Sequence, residues 1–212
     1  YFDFYLFHNV CEDNIDNFLN PEYGVGEFLF EQRRLGRIKH LGFSTHGSLT
    51  TMKRFLDAYG RELEFCQIQL NYLDWQLQNA KAKVELVRSY GLPIWVMEPV
   101  RGGHLTQLLP EQEARLKALR PQETQAGWAF RFLQGIEGVT MVLSGMSNME
   151  QLAENIKIFS HPEPLNDQEQ QTLQEIAREM IAANAVPCTG CSYCVDYCPQ
   201  GIHIPEILKK YN

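Results

Sequence analysis

Five strand-like runs separated by helical segments constrain the fold of this chain more than any other feature. The runs are DFYLFHN (3–9), IKHLGFS (38–44), FCQIQLN (65–71), PIWVMEP (93–99) and VTMVLSG (139–145). They begin 35, 27, 28 and 46 residues apart, which leaves room for a helix between each pair. Parallel strands need such crossovers, and a sheet covered by helices has no face left for water. The pattern therefore predicts an α/β fold with a parallel sheet.

The ends of these runs favour a (β/α)8 barrel over a doubly wound sheet. No Gly-x-Gly-x-x-Gly opens a helix after any run, so the dinucleotide fingerprint of doubly wound sheets is missing. The runs end instead in small or polar residues: His8, Asn9, Ser44, Thr45, Asn71, Glu98 and Ser144. The carboxyl ends of barrel strands form the rim where ligands bind. We therefore expect binding residues at these positions.

Composition excludes several classes of partner. The 212 residues are 44% hydrophobic, and 19 Lys and Arg against 26 Asp and Glu give a formal charge of -7. Such a surface opposes binding to nucleic acid or to an anionic membrane. The sequence contains no apolar run of the roughly 18 to 20 residues that a membrane span needs, and we expect no secretory leader. We expect a cytoplasmic protein whose partner is a small molecule or another protein.

Four of the six cysteines form a compact motif near the end of the sequence, in PCTGCSYCVDYCP. They are Cys188, Cys191, Cys194 and Cys198. The spacing Cys-x2-Cys-x2-Cys-x3-Cys-Pro is that of bacterial ferredoxins and predicts a 4Fe-4S cluster. Structural zinc is the alternative, although zinc ribbons separate their cysteine pairs by a dozen or more residues. In two-cluster proteins the fourth cysteine serves the other cluster, so the role of Cys198 stays open.

Several segments together resemble the aldo-keto reductases. They are DFYLFH, GRIKHLGFSTH, CQIQLNYLD, VMEPVRGGHL and VLSGMSNMEQLAENI. The last is similar to the segment with which the family holds the adenosine phosphate, and it is the most specific. The resemblance covers about residues 1 to 160 and implies strands four to eight of a TIM barrel, so we expect a fragment that starts at the fourth strand. The cysteine motif resembles the helical ferredoxin-like extension of a bacterial branch of the family.

This resemblance implies hydride transfer between NAD or NADP and a small carbonyl or alcohol substrate. The family uses a tetrad of Asp, Tyr, Lys and His, of which this sequence contains only His8 at a matching position. His8 would orient the carbonyl oxygen, and a satisfied core histidine is the alternative. Because the other three residues are borne by the first three strands, we expect the fragment itself to be inactive.

Four further positions match the residues that hold the nicotinamide ring in the family. Ser44 and Thr45 stand where the family has Ser-Asn for the carboxamide, and Gln67 matches its Gln partner. Met97 replaces the aromatic residue that stacks on the ring in many members, and a polarizable thioether can still cover a ring face. The alternative is that small polar residues end these strands only to cap the following helices.

Two segments resemble the part of the family site that holds the cofactor's phosphates and adenine. Arg101 and Gly102 begin a loop similar to the Gly-rich loop over the pyrophosphate, where Arg101 would add positive charge. The adenosine end is assigned to Ser147, Gln151, Glu154 and Asn155. These residues are expected on one face at the start of a helix. The alternative is that Ser147 merely caps a solvated helix.

The predicted organisation has three parts. Residues 1–160 form the C-terminal part of the barrel, 161–187 a linker and a helix from about Asp167 to Ala183 packed on the barrel, and 188–212 the iron-sulfur motif. The whole protein is expected to be an NAD(P)H-dependent reductase with an electron-transfer module and a redox protein as partner. The alternative is a non-catalytic barrel scaffold that carries the iron-sulfur module for electron transfer or docking.

Overall fold

The computed structural model describes residues 1–183, 188 and 193–211. Within these residues one sheet contains the strands β1 (Phe2–Val10), β2 (Ile38–Thr45), β3 (Cys66–Gln69), β4 (Ile94–Met97) and β5 (Val139–Val142). Every neighbouring pair is parallel, and the strand order is β1-β2-β3-β4-β5. The α/β class and the parallel sheet are thus confirmed. Across the described residues, each strand lies beside the strand that follows it in the sequence.

Helices lie between and after the strands. In the described residues they are α1 (Ile15–Leu19), α2 (Val25–Arg34), α3 (Leu49–Tyr59), α4 (Asp74–Leu77), α5 (Ala80–Ser89), α6 (Pro110–Leu119), α7 (Gln125–Gln134), α8 (Met149–Ser160), α9 (Asp167–Ala183), α10 (Tyr193–Asp196) and α11 (Ile204–Tyr211). A short 3-10 turn covers Gly60–Glu62, and the loop Arg101–Thr106 contains a kink with non-helical backbone at Gly102 and Gly103. The bounds of α9 are those predicted. None of the helices in the described ranges has the length and apolarity needed to cross a bilayer.

The helix α3 determines which face of the first two strands is buried. Its N-cap Ser48 accepts a hydrogen bond from the Thr51 amide at 3.3 Å. Phe55 of α3 lies with its ring centroid 5.2 Å from that of Phe7 in β1 and 5.0 Å from that of Phe43 in β2. Successive strand residues point to opposite faces, so the residues next to Phe7 and Phe43 point away from α3.

The described chain divides into two compact units whose segments alternate in sequence. Unit 1 comprises Tyr1–Leu70, Gln78–Pro99 and Ile136–Gly145, and unit 2 comprises Asn71–Leu77, Val100–Gly135 and Met146–Asn212. Unit 1 contains the sheet. In unit 2, Leu173, Ile176 and Ala177 of α9 are fully buried.

Candidate functional site: the strand ends of unit 1

Asn9 and Ser44 join the carboxyl ends of β1 and β2. The Asn9 amide donates a hydrogen bond to Ser44 Oγ at 2.8 Å, and Ser44 is buried. Asn9 has a φ of 53°, a left-handed conformation that asparagine tolerates better than most residues. Its side-chain Oδ1 is buried and makes no hydrogen bond to any described residue. This oxygen can therefore accept a hydrogen bond from a bound ligand.

Gln67 and Met97 continue this arrangement across β3 and β4. Ser44 pairs in register with Gln67 on the neighbouring strand. Gln67 Nε2 donates to Met97 Sδ at 3.7 Å, and both side chains are half-buried. His8, which precedes Asn9 in β1, is exposed. The structure thus brings Ser44, Gln67 and Met97 together on adjacent strands, with Asn9 bonded to Ser44.

Thr45 has a different environment from its neighbour Ser44. Its Oγ1 donates to the Val10 carbonyl at 2.6 Å and accepts from the Gly47 amide at 2.9 Å. The hydroxyl proton is therefore committed to the backbone at the end of β1. This engagement favours a structural role for Thr45.

Nothing in the sequence marks Asn9 as a binding residue beyond its position near the carboxyl end of a strand. Glu98, which follows β4, likewise adopts a positive φ, of 58°. Left-handed non-glycine residues are uncommon and cluster at functional sites. A long-range contact such as that from Asn9 to Ser44, 35 residues away, cannot be read from local sequence.

Candidate functional site: the loop and helix of unit 2

The Gly-rich loop of unit 2 begins with a buried arginine. Arg101 is 5% exposed, and its Nε lies 3.7 Å from Asp74 Oδ1. Gly102 is exposed, and a Cβ added to it or to Gly103 would meet no atom within 4 Å. The open side of this turn is therefore its glycine backbone, and the guanidinium is turned inward.

At the amino end of α8 the cap is Asn148. Its side chain accepts a hydrogen bond from the Gln151 amide at 2.9 Å. Gln151 Oε1 in turn accepts from the Ser147 amide at 2.8 Å. The alternative in which Ser147 caps the helix is therefore wrong, because the Asn148 side chain occupies the capping position. Ser147 and Gln151 are both exposed.

The next turn of α8 faces other parts of unit 2. Glu154 accepts a hydrogen bond from the hydroxyl of Thr124, the N-cap residue of α7, and Asn155 is buried. Glu154 also lines a cavity of about 570 Å³ together with Arg120 and Arg131. The four residues predicted for the adenosine end therefore have three environments: an exposed pair, a carboxylate bonded to α7 and a buried amide.

Three of the four motif cysteines belong to the described residues. Cys194 is exposed, Cys188 and Cys198 are half-buried, and Cys191 lies outside the described residues. Cys198 Sγ accepts a hydrogen bond from the Ile202 amide at 3.4 Å. Within the described residues, no group of three or more His, Cys, Asp or Glu side chains is arranged to hold a metal ion. The cluster therefore stays a prediction.

The cysteines outside the motif differ from each other. Cys66 in β3 is fully buried, and burial raises the pKa of its thiol well above the ordinary value. Cys11 is half-buried. Cys66 therefore behaves as a small apolar residue of the core.

Family membership

The aldo/keto reductase family model matches residues 1–178. The chain therefore belongs to this family. A search of curated proteins found no match.

Several solved structures share the fold at low sequence identity, among them two aldo-keto reductases. The holo form of AKR11C1 from Bacillus halodurans superposes with a TM-score of 0.62 at 23% identity, covering 83% of this chain and 61% of that one. The thermostable Tm1743, in complex with the inhibitor epalrestat, gives 0.64 at 19%, covering 83% and 60%. The apo form of Gox0644 gives 0.61 at 21%, covering 82% and 58%. This chain thus spans about three fifths of the length of these structures.

Proposed function

We propose that the protein is an NAD(P)H-dependent oxidoreductase that transfers hydride between a nicotinamide cofactor and a small carbonyl or alcohol. The observation that carries the proposal is the pairing of Ser44 with Gln67 at the strand ends, with Asn9 bonded to Ser44. A carboxamide both donates and accepts hydrogen bonds, so its site needs both functions. These side chains supply them, and the buried Asn9 Oδ1 lacks a donor. The sequential parallel order of the strands supports a (β/α)8 barrel.

Each side chain has a distinct task in this proposal. Ser44 Oγ accepts from the Asn9 amide, so its own proton remains to be donated to the carboxamide oxygen. Asn9 Oδ1 and Gln67 Oε1 accept from the carboxamide nitrogen. Met97, held by its contact with Gln67, covers one face of the ring. When bound, the cofactor supplies or accepts the hydride.

His8 is assigned to the substrate. It stands next to Asn9 near the carboxyl end of β1, and its side chain is exposed. A neutral imidazole donates one N–H to a carbonyl oxygen and so fixes the orientation of the substrate. Polarisation by this hydrogen bond makes the carbonyl carbon more electrophilic.

In unit 2 the candidates for the cofactor's phosphates are backbone amides. The turn at Gly102 is open, and the amino end of α8, a helix of 12 residues, carries the exposed side chains of Ser147 and Gln151. Helix amino ends and glycine turns bind phosphate through unsatisfied N–H groups. Glu154 and Asn155 are proposed for the adenine.

Cofactor titration tests the carboxamide assignment. In the full-length protein, Gln67→Leu should weaken the binding of NADPH or NADH by about tenfold, because a buried hydrogen-bonding group of the cofactor loses its partner. Ser44→Ala should act in the same direction. The matched control is Gln171→Leu on the exposed side of α9. Fluorescence titration that gives equal affinities for all four proteins would move the site elsewhere.

We further propose that Cys188, Cys191 and Cys194 hold a 4Fe-4S cluster and that Cys198 serves a second one. The Ile202 amide donates a hydrogen bond to Cys198 Sγ, as a backbone N–H would to a ligating thiolate. N–H donors stabilise thiolate sulfur and tune the reduction potential of such clusters. A bound cluster supplies one-electron transfer, which suits a redox protein as partner.

Analysis of iron and sulfide tests this second proposal. Full-length protein purified without oxygen should contain both, and Cys191→Ser should lose one cluster because only two of the three thiolates that the motif supplies to it remain. Cys11→Ser, at the half-buried cysteine outside the motif, is the control and should keep the full content. If the protein instead contains stoichiometric zinc and no sulfide, the cysteines form a structural zinc site and the cluster proposal is wrong. A protein with the cluster but no affinity for nicotinamide cofactor would instead support the non-catalytic scaffold.

A further inference from the structure

Three successive residues of the unit 2 loop adopt left-handed backbone conformations. The φ angles are 50° for Arg101, 60° for Gly102 and 90° for Gly103. Glycine reaches this region freely, whereas the Cβ of arginine crowds the following carbonyl. Arg101 therefore keeps its conformation only because its surroundings impose it.

The Arg101 side chain explains how the turn is held. It is 6% exposed, and its Nε lies 3.7 Å from Oδ1 of Asp74, whose side chain is completely buried. Two opposite charges in such a poorly hydrated place stabilise each other, and removing either one leaves the other uncompensated. The ion pair thus ties the loop at Arg101 to the start of α4, within unit 2.

Asp74 is itself fixed by Asn71. The Asn71 Nδ2 donates to Asp74 Oδ2 at 2.7 Å, and Asn71 Oδ1 accepts from the amides of Asp74 at 2.8 Å and Leu73 at 3.1 Å. The carboxylate is therefore held both through its side chain and through its backbone. It offers the loop a rigid anchor.

We propose that Asp74 is a positioning residue, which holds the turn of Arg101, Gly102 and Gly103 through the Arg101 side chain in the conformation that binds the cofactor's phosphate. This inference rests on the proposed function. Because Asp74 neutralises the guanidinium inside the protein, the phosphate meets the Gly102 amide on the open side of the turn, whereas the Gly103 amide donates to the Val100 carbonyl. The phosphate therefore gains little from the arginine charge. The sequence suggests the reverse, a direct contact from Arg101.

Cofactor titration of two single variants separates these roles. If Arg101 contacted phosphate directly, Asp74→Asn would free the guanidinium charge of Arg101 from its partner. The affinity for the cofactor would then be unchanged or increased. Positioning requires that Asp74→Asn and Arg101→Gln both weaken binding, on the order of tenfold for a displaced binding group. The double variant should have an affinity for the cofactor no lower than that of the single variant with the lower affinity, because both substitutions remove the same ion pair. It also removes both buried charges, which guards against unfolding.

Hydrogen exchange without cofactor provides a readout that does not depend on the proposed function. The amides of Gly103 and Leu105 bond to the Val100 carbonyl at 3.0 and 3.2 Å, and they should exchange faster in Asp74→Asn. The control is Arg115→Gln, which removes two partly exposed ion pairs between α6 and α9 and should alter neither exchange nor affinity.

The results answer two separate questions: whether Asp74 positions the turn, and whether the protein binds a nicotinamide cofactor. Asp74→Asn with unchanged exchange and unchanged affinity overturns the positioning role. Faster exchange in Asp74→Asn, together with a wild-type protein that binds no nicotinamide cofactor, overturns the proposed function and leaves the anchoring of the turn supported.

Discussion

Glu12, three residues after Asn9, shows how one exposed carboxylate supports a neighbouring helix. Its Oε1 accepts hydrogen bonds from the Thr51 hydroxyl at 2.7 Å and from the Ser48 amide at 2.8 Å. These bonds, that from Thr51 foremost, lower the pKa of Glu12 to about 2. The negative charge also lies at the amino end of α3, where the helix dipole favours it.

The stability of the protein should depend on this charge. Because the pKa of Glu12 is depressed in the folded state, its contribution is present above the ordinary value of 4.5 and lost as the pH falls towards 2. At pH 7, Glu12→Gln should lower the free energy of unfolding by about 0.5 to 1 kcal/mol, a typical value for an exposed charge at a helix end. Urea denaturation of both proteins at pH 7 and pH 3 measures this difference.

The difference between the two proteins should be smaller at pH 3 than at pH 7. Glu22→Gln, at another exposed glutamate of unit 1, is the control. A difference that stays constant with pH would mean that Glu12 acts through packing and not through its charge.

At the scale of elements, the start of α9 is fixed by an interlocked cap. The Asn166 side chain accepts from the Glu169 amide at 3.0 Å, and the Glu169 carboxylate accepts from the Asn166 amide at 2.9 Å. This is the reciprocal pattern of a capping box. Glu169 also binds Arg120, which follows α6, at 2.6 Å, and this bond lowers the pKa of Glu169. One carboxylate therefore joins two elements of unit 2.

Removing this carboxylate should be strongly destabilising. Glu169→Ala deletes half of the cap and leaves the nearly buried Arg120 without its main partner, so we expect a loss of about 2 to 3 kcal/mol. The control is Glu163→Ala, because Glu163 lies 3.6 Å from the same arginine but its side chain is 72% exposed. A pair so exposed contributes less than about 1 kcal/mol. Equal midpoints of urea denaturation for the two variants would contradict the assigned role of Glu169.

The elements themselves were predictable from sequence, and their contacts were less so. Apolar runs of the right spacing predicted all five strands and their parallel arrangement, because each run and each crossover is a local signal. The cap of α8 was not predicted, since Ser147 and Asn148 are both good capping residues and only geometry distinguishes them. Burial of Arg101 depends on Asp74, 27 residues earlier, and no local pattern reports such a pair.

At the scale of the whole molecule, the order of segments along the chain is the most informative feature. Residues 71–77 and 100–135 belong to unit 2, whereas the stretch between them belongs to unit 1. The chain therefore passes from one unit to the other after β3 and again after β4. Two units built from alternating segments leave no boundary in the sequence at which composition or pattern changes, so this division could not be predicted.

This alternation has a consequence for genetics. A stop codon anywhere between positions 78 and 135 would delete residues of both units, because 136–145 belong to unit 1 and the residues from 146 onward to unit 2. Nested deletions would therefore damage both units at once. They would not show which unit is responsible for a property that is lost. Single substitutions, in which the rest of the gene remains intact, are the informative alleles for this protein.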